Sequence, residues 1–233
     1  MAGGVLITRP LKDAQEMAQS LRDKGYDVFC EPFIDVILHD HDISISDDKY
    51  AGLIFTSVNG VRVYVQNTSA RNITVYTVGD RTKAEAIAAG FSDITSAAGT
   101  VDDLAALLSA QKSPRPYLYI RGQEVAKPLN KMVDGAEVEE VILYHVDKKG
   151  EISSECRDAV AQGGVDYVLF FSTRTAQSFV DYIRKEGLEE GLKTSKALCL
   201  GASMIEYVSE LPWQEVRLAA RPDREGILAL LED

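Results

Sequence analysis

The sequence predicts an α/β fold of two similar domains, each a mainly parallel sheet flanked by helices, with a cleft between them. Three observations carry that prediction. Short apolar runs alternate with segments of helical periodicity, and three strand-end patterns occur twice in the same order. The chain has 233 residues, 45% apolar and 26% charged, the size and composition of a packed globular protein.

Residues 5–8 open as a strand. Leu11, Ala14, Met17, Ala18 and Leu21 then share one face of a helix, Gly25 stops it, and residues 27–30 return to strand, completing a βαβ opening. Residues 39–49, HDHDISISDDK, are polar and acidic and read as an exposed connection. Further strands fall at residues 53–56, 75–79, 117–121, 167–171 and 197–200, most of them followed by a helix. Parallel strands with helices on both faces follow from that rhythm. Residues 138–146 are apolar and β-branched, suited to an extended crossing between domains. Neither connecting segment has the Gly/Ser composition of a long flexible linker.

The repeated patterns are ITRP and YIRG, FTS and FFS, and VGDRT and LGASM. Arg9 to Arg121, Ser57 to Ser172 and Gly79 to Gly201 give offsets of 112, 115 and 122, a drift that loop insertions produce. The chain is a duplication in outline.

Lys and Arg number 25 against 36 Asp and Glu, a net charge of -11, which argues against a nonspecific nucleic-acid binder. Any anion must then be met by a local positive cleft. No apolar stretch approaches the ~20 residues that span a bilayer, and the opening MAGGVLITRP lacks the features of a signal peptide, which leads to the expectation of a cytoplasmic protein. The three cysteines, Cys30, Cys156 and Cys199, are far apart among apolar neighbours and read as reduced core residues.

Ser57, Thr82, Ser172 and Ser203 each follow a strand at or near the start of a helix. There a hydroxyl caps the helix, and the same turn offers backbone N–H groups to a carboxylate or phosphate. Capping alone accounts for any one of them; recurrence in both halves favours binding. Arg9, Arg121 and Arg174 come at strand ends, with Arg62, Arg81, Lys83 and Lys127 a turn or two further on. Together they could supply the local positive field, although each singly is an ordinary surface residue. His39 and His41, with Asp40 and Asp42, have the alternation of a metal site but no third ligand in sequence, so no metal is predicted. His145 stands alone beside Tyr144 and is read as structural or solvent-facing.

The Walker, dinucleotide, nucleophile-elbow and zincin motifs are all missing, and no nucleophile–base pair is visible. Tyr144, in VILYHV, is the polar group in an apolar setting. With a reference pKa of ~10 the phenol keeps its proton at neutral pH and can donate it to a leaving oxygen. A core tyrosine with a satisfied hydroxyl is an equal reading.

Taken in order, VLITRP, EPFIDV, LIFTSVNGV, YTVGDRTKAEAIAAGF, YLYIRG, VILYHV, VLFFSTRTAQSF, LCLGAS and RPDREGILALLED resemble the uroporphyrinogen-III synthases over nearly the whole chain. The resemblance implies a monomer of two α/β domains joined by two extended crossings, residues 37–146 forming a domain inserted between residues 1–36 and 147–233. The duplication by itself would equally allow two consecutive domains. It further implies a cofactor-independent lyase of tetrapyrrole biosynthesis, with neither nucleic acid nor membrane as a partner. That lyase closes hydroxymethylbilane, a linear tetrapyrrole with eight carboxylates, into uroporphyrinogen III, inverting ring D and releasing water.

On that resemblance Tyr144 matches the tyrosine that assists hydroxyl departure. Ser57, Thr82, Ser172 and Ser203 hold substrate carboxylates, and Arg9, Arg121 and Lys127 add positive potential. One departure is plain: where the family commonly has GxTT in its second half, this chain has Gly201-Ala202-Ser203-Met204. Two other classes stand beside this one, a non-catalytic tetrapyrrole or organic-anion binder of the same fold, and a periplasmic-type clamshell receptor, disfavoured because no export signal precedes Val5.

Overall fold

The computed structural model describes residues 2–39, 49–97, 99–125 and 127–232. In chain order the elements are β1 (Ala2–Ile7), α1 (Leu11–Asp23), β2 (Tyr26–Cys30), β3 (Ile34–Leu38), β4 (Gly52–Phe55) and α2 (Val58–Asn67). Then come β5 (Val75–Thr77), α3 (Asp80–Ala88), β6 (Ile94–Ser96), α4 (Val101–Gln111), β7 (Tyr117–Gly122) and β8 (Val138–Lys148). The remainder is α5 (Ser154–Ala161), β9 (Tyr167–Phe170), α6 (Thr173–Glu186), β10 (Lys196–Cys199), α7 (Ile205–Val208), β11 (Glu215–Leu218) and α8 (Arg224–Ala229). The α/β alternation read from the sequence is therefore present.

The chain divides into two compact units, one of Met1–Asp35 with Asp147–Asp233 and one of Val36–Val146. The first holds a five-stranded sheet in the order β11-β10-β9-β1-β2, every pairing in it parallel. Its central strands are buried on both faces, as crossover helices require. Leu6, Val168, Phe170, Phe179 and Ile183 form the core on one side, and Val5, Ile7, Ala14, Met17, Leu169 and Leu198 that on the other. The amphipathic faces of α6 and α1 provide the helical part of each core.

The second unit holds a six-stranded sheet in the order β3-β8-β7-β4-β5-β6, parallel from β8 to β6. β4 is buried along its whole length, between a core containing Leu53, Phe55, Val61 and Tyr64 and another containing Ile54, Tyr76, Leu104 and Tyr117. β3 joins as the edge strand. The His39 amide donates to the Leu143 carbonyl at 2.7 Å and the Lys149 amide to the Phe33 carbonyl at 3.1 Å. Both pairs of residue numbers sum to 182, which is the signature of an in-register antiparallel ladder.

The two sheets share one layout. The strand ending in FTS, β4, lies between the YIRG strand β7 and the VGD strand β5; the strand ending in FFS, β9, lies between the ITR strand β1 and the LGA strand β10. The duplication is real, but its halves are interleaved. Each sheet takes its serine and glycine strands from one copy of the sequence repeat and its arginine strand from the other.

Candidate functional site

In parallel sheets the turns at the carboxyl ends of the strands are where helix N-termini and binding groups collect. In the second unit Ser57 caps α2, its Oγ accepting the Gly60 amide at 3.2 Å. Ser172 does the same for α6 in the first unit, accepting the Thr175 amide at 3.2 Å. Their backbone angles nearly coincide, φ -148 and ψ 154 against φ -152 and ψ 148. The duplication is thus exact at its capping residues.

The other two hydroxyl positions depart from the capping expectation. Gly79 is the residue before α3, and Thr82 sits inside the helix, 6% exposed. Gly201 likewise precedes the 3-10 turn Ala202–Met204, and Ser203 lies within that turn, its Oγ 2.9 Å from Thr173 Oγ1. Glycine replaces serine as the cap at both places. The repeat therefore aligns Thr82 with Met204 rather than with Ser203, and Met204 is buried in the core of the first unit.

The cations gathered at the strand ends face carboxylates of their own unit, which offsets the positive field expected of them. Arg9 lies 3.9 Å from Asp13, with its guanidinium 4.5 Å above the Phe171 ring. Arg121 meets Glu140 at 3.1 Å and donates to the carbonyls of Gly122 and Gln123 at 3.0 Å each. Arg62 grips Glu85 through two bonds of 2.7 and 3.0 Å. Lys127 pairs with Asp102, and both of these side chains are half-exposed.

Tyr144 in β8 is 6% exposed, and its phenol oxygen lies 2.8 Å from Ser57 Oγ. The Gly122 backbone stands close against the same phenol ring. Burial raises the phenol above the ordinary tyrosine range, and the neighbouring Ser57 hydroxyl and Gly122 amide pull the other way without cancelling it. The group is a permanently protonated hydrogen-bond donor at neutral pH. On the neighbouring strand Tyr119, 2% exposed, bonds Thr56 Oγ1 at 2.8 Å and is also raised by burial.

His145 is not alone, as the sequence suggested. Its Nδ1 lies 2.8 Å from Nε2 of His39, a diagonal contact across the β3–β8 ladder between residues 106 positions apart. His41, Asp40 and Asp42 lie outside the described residues, and among the described residues no group of three metal-ligating side chains forms. Cys30, Cys156 and Cys199 are free thiols, and burial pushes Cys156 and Cys199 up to about 12, which makes them unreactive core residues. Among the described residues no helix is long and apolar enough to cross a membrane.

Sequence reasoning missed Gly122, whose YIRG motif was visible but whose closeness to Tyr144 depends on a strand register. A sequence model of the family described as Uroporphyrinogen-III synthase HemD matches residues 15–229. A protein of Archaeoglobus fulgidus provisionally named uroporphyrinogen-III synthase is 28% identical, with 88% of each chain covered. The uroporphyrinogen-III synthase of Chlorobaculum parvum is 24% identical, over 81% of this chain and 82% of that one. Among solved structures, the uroporphyrinogen-III synthetase of Helicobacter pylori superposes with a TM-score of 0.66 at 18% identity, covering 98% of this chain and 97% of that one.

Proposed function

The chain belongs to the uroporphyrinogen-III synthase family, a family of lyases of porphyrin biosynthesis, and on that premise we propose that it cyclises hydroxymethylbilane to uroporphyrinogen III. The ring A hydroxyl leaves with a proton as water, and the substituted carbon of ring D attacks the resulting azafulvene to give a spiro intermediate. Fragmentation and reclosure then invert ring D. Atoms balance with water as the other product, and the scheme needs no cofactor.

The observation that carries this reading is the buried phenol of Tyr144 at the carboxyl end of its sheet, hydrogen-bonded to Ser57 and packed against Gly122. A phenol raised above its ordinary range is a weak Brønsted acid at pH 7, so its contribution is a hydrogen bond that strengthens as negative charge builds on the departing oxygen. The substrate's carboxylates meet the turns that begin α2, α3 and α6 and the turn at Gly201, with Ser57, Thr82, Ser172 and Ser203 in or beside them. Arg9, Arg121 and Lys127 supply charge. Of these cations, Lys127 exchanges its partner most readily, because an ion pair this exposed contributes only ~0–1 kcal/mol. The protein acts as a cytoplasmic monomer on this reading.

The test is product-isomer analysis. Given enzymatically generated hydroxymethylbilane, the protein yields mainly the type III isomer, and Tyr144→Phe slows its formation by ~10- to 100-fold while leaving the fold intact. A blank-like yield of type I alone overturns the assignment, and an unchanged Tyr144→Phe rate removes the role of the phenol. The second reading is an organic-anion binder of the same fold without isomer control, and the same chromatogram separates the two.

A further inference from the structure

Parallel pairing between β7 and β8 runs in step from Tyr117 opposite Val138 to Arg121 opposite Ile142, then skips Leu143, so that Gly122 faces Tyr144. The extra residue is a bulge on β8. Bulges of this kind re-aim the side chain that follows them. Here the re-aimed side chain is the phenol.

The bulge brings the Tyr144 ring against the one residue of β7 that has no side chain. A Cβ built on Gly122 would lie 2.8 Å from Tyr144 Cε2, 2.9 Å from Cζ and 3.3 Å from the phenol oxygen, all short of the 3.4 Å at which ordinary contact begins. The backbone at Gly122 has no positive φ that would itself demand glycine. What requires it is the approach of the ring.

The phenol oxygen then meets Ser57 Oγ, 2.8 Å away. That hydroxyl is itself fixed by the Gly60 amide at the start of α2, which it accepts at 3.2 Å, so the hydrogen bond between the two hydroxyls ties the phenol to a rigid point of the helix cap.

We infer that Gly122 and Ser57 are positioning residues that seat the Tyr144 phenol, glycine by the side chain it lacks and serine by its hydroxyl. The inference rests on the synthase reading for its kinetic consequence and deepens it. Ser57, first read as a direct holder of substrate carboxylate, acts through Tyr144.

The experiment compares Gly122→Ala, Ser57→Ala, Ser57→Thr, Tyr144→Phe and the double variants combining Tyr144→Phe with each alanine change. Gly122→Ala and Ser57→Ala should each lower kcat by ~10-fold or more with KM within about twofold, since sub-ångström displacement of a catalytic group is costly. Ser57→Thr should recover most of the loss. Each double variant should be no slower than Tyr144→Phe alone. Losses that multiply in the doubles, or a kcat within twofold of the parent in both alanine variants, overturn the inference.

A second readout is independent of turnover. In protein carrying 13C-Cζ tyrosine, the resonance absent from Tyr144→Phe identifies Tyr144, and Ser57→Ala should move it and shift its titration upward through loss of that hydrogen bond. An unmoved resonance overturns the seat even if the parent makes no type III isomer. If Gly122→Ala does not fold, the Ser57 variants decide.

Discussion

Glu31 is 5% exposed, with Lys149 beside its carboxylate and the Ser153 amide donating to it at 3.1 Å. Burial alone would push this carboxyl up, but the bonds from Lys149 and Ser153 outweigh it and hold the group below its ordinary 4.5. A carboxyl depressed in the folded state adds stability that is fully present above the unfolded value and is lost as pH falls through the folded one. Glu31→Gln should therefore cost ~1–3 kcal/mol at pH 7. Urea unfolding at stepped pH should show that gap closing below about pH 4. A gap that stays constant into acid would show that the charge of Glu31 contributes nothing. Tyr144 and Ser57 were legible as residues because a polar group among apolar ones, or a hydroxyl before a helix, shows in one stretch of sequence. Gly122 and the His39–His145 contact were not, since both depend on which residue of one strand faces which residue of another.

Among the elements, the central strands were read correctly because burial on both faces leaves a continuous apolar run, as in Gly52–Phe55 and Tyr167–Phe170. β6 and β11 escaped notice for the opposite reason. They are edge strands of three and four residues whose side chains are only partly covered, so ITS and EVRL carry no pattern above their surroundings. The turn Ala202–Met204 shows a different kind of misreading. A hydroxyl seemed to be missing at 204, whereas the position belongs to the apolar core, and a thioether fills it. Met204→Thr should destabilise the protein by ~1–3 kcal/mol through lost burial and an underfilled space, read as a lower urea midpoint. A midpoint equal to or above that of the parent would show that the space is built for threonine.

At the level of the whole chain, the linear repeat was visible and the interleaving was not, because sequence order reveals copies but not which strand each copy lends to which sheet. The antiparallel ladder clarifies how the insertion is made. The chain enters the second unit at Val36 and leaves it at Val146, on the strands β3 and β8 that pair within it. Residues 36–146, with both cores of their sheet inside that span, should fold when expressed alone, giving dispersed amide resonances and one cooperative urea transition. A collapsed spectrum would show that the insert depends on the rest of the chain. The exchange of arginine strands also sets an order on biosynthesis. β1, α1 and β2 leave the ribosome early, yet β1 must wait for β9, made only after the entire insert, before its free edge is covered. The unit that begins second is the first that can be finished, and a nascent chain stalled soon after Lys148 would pair one completed body with an orphaned amino-terminal fragment, a natural client for chaperones.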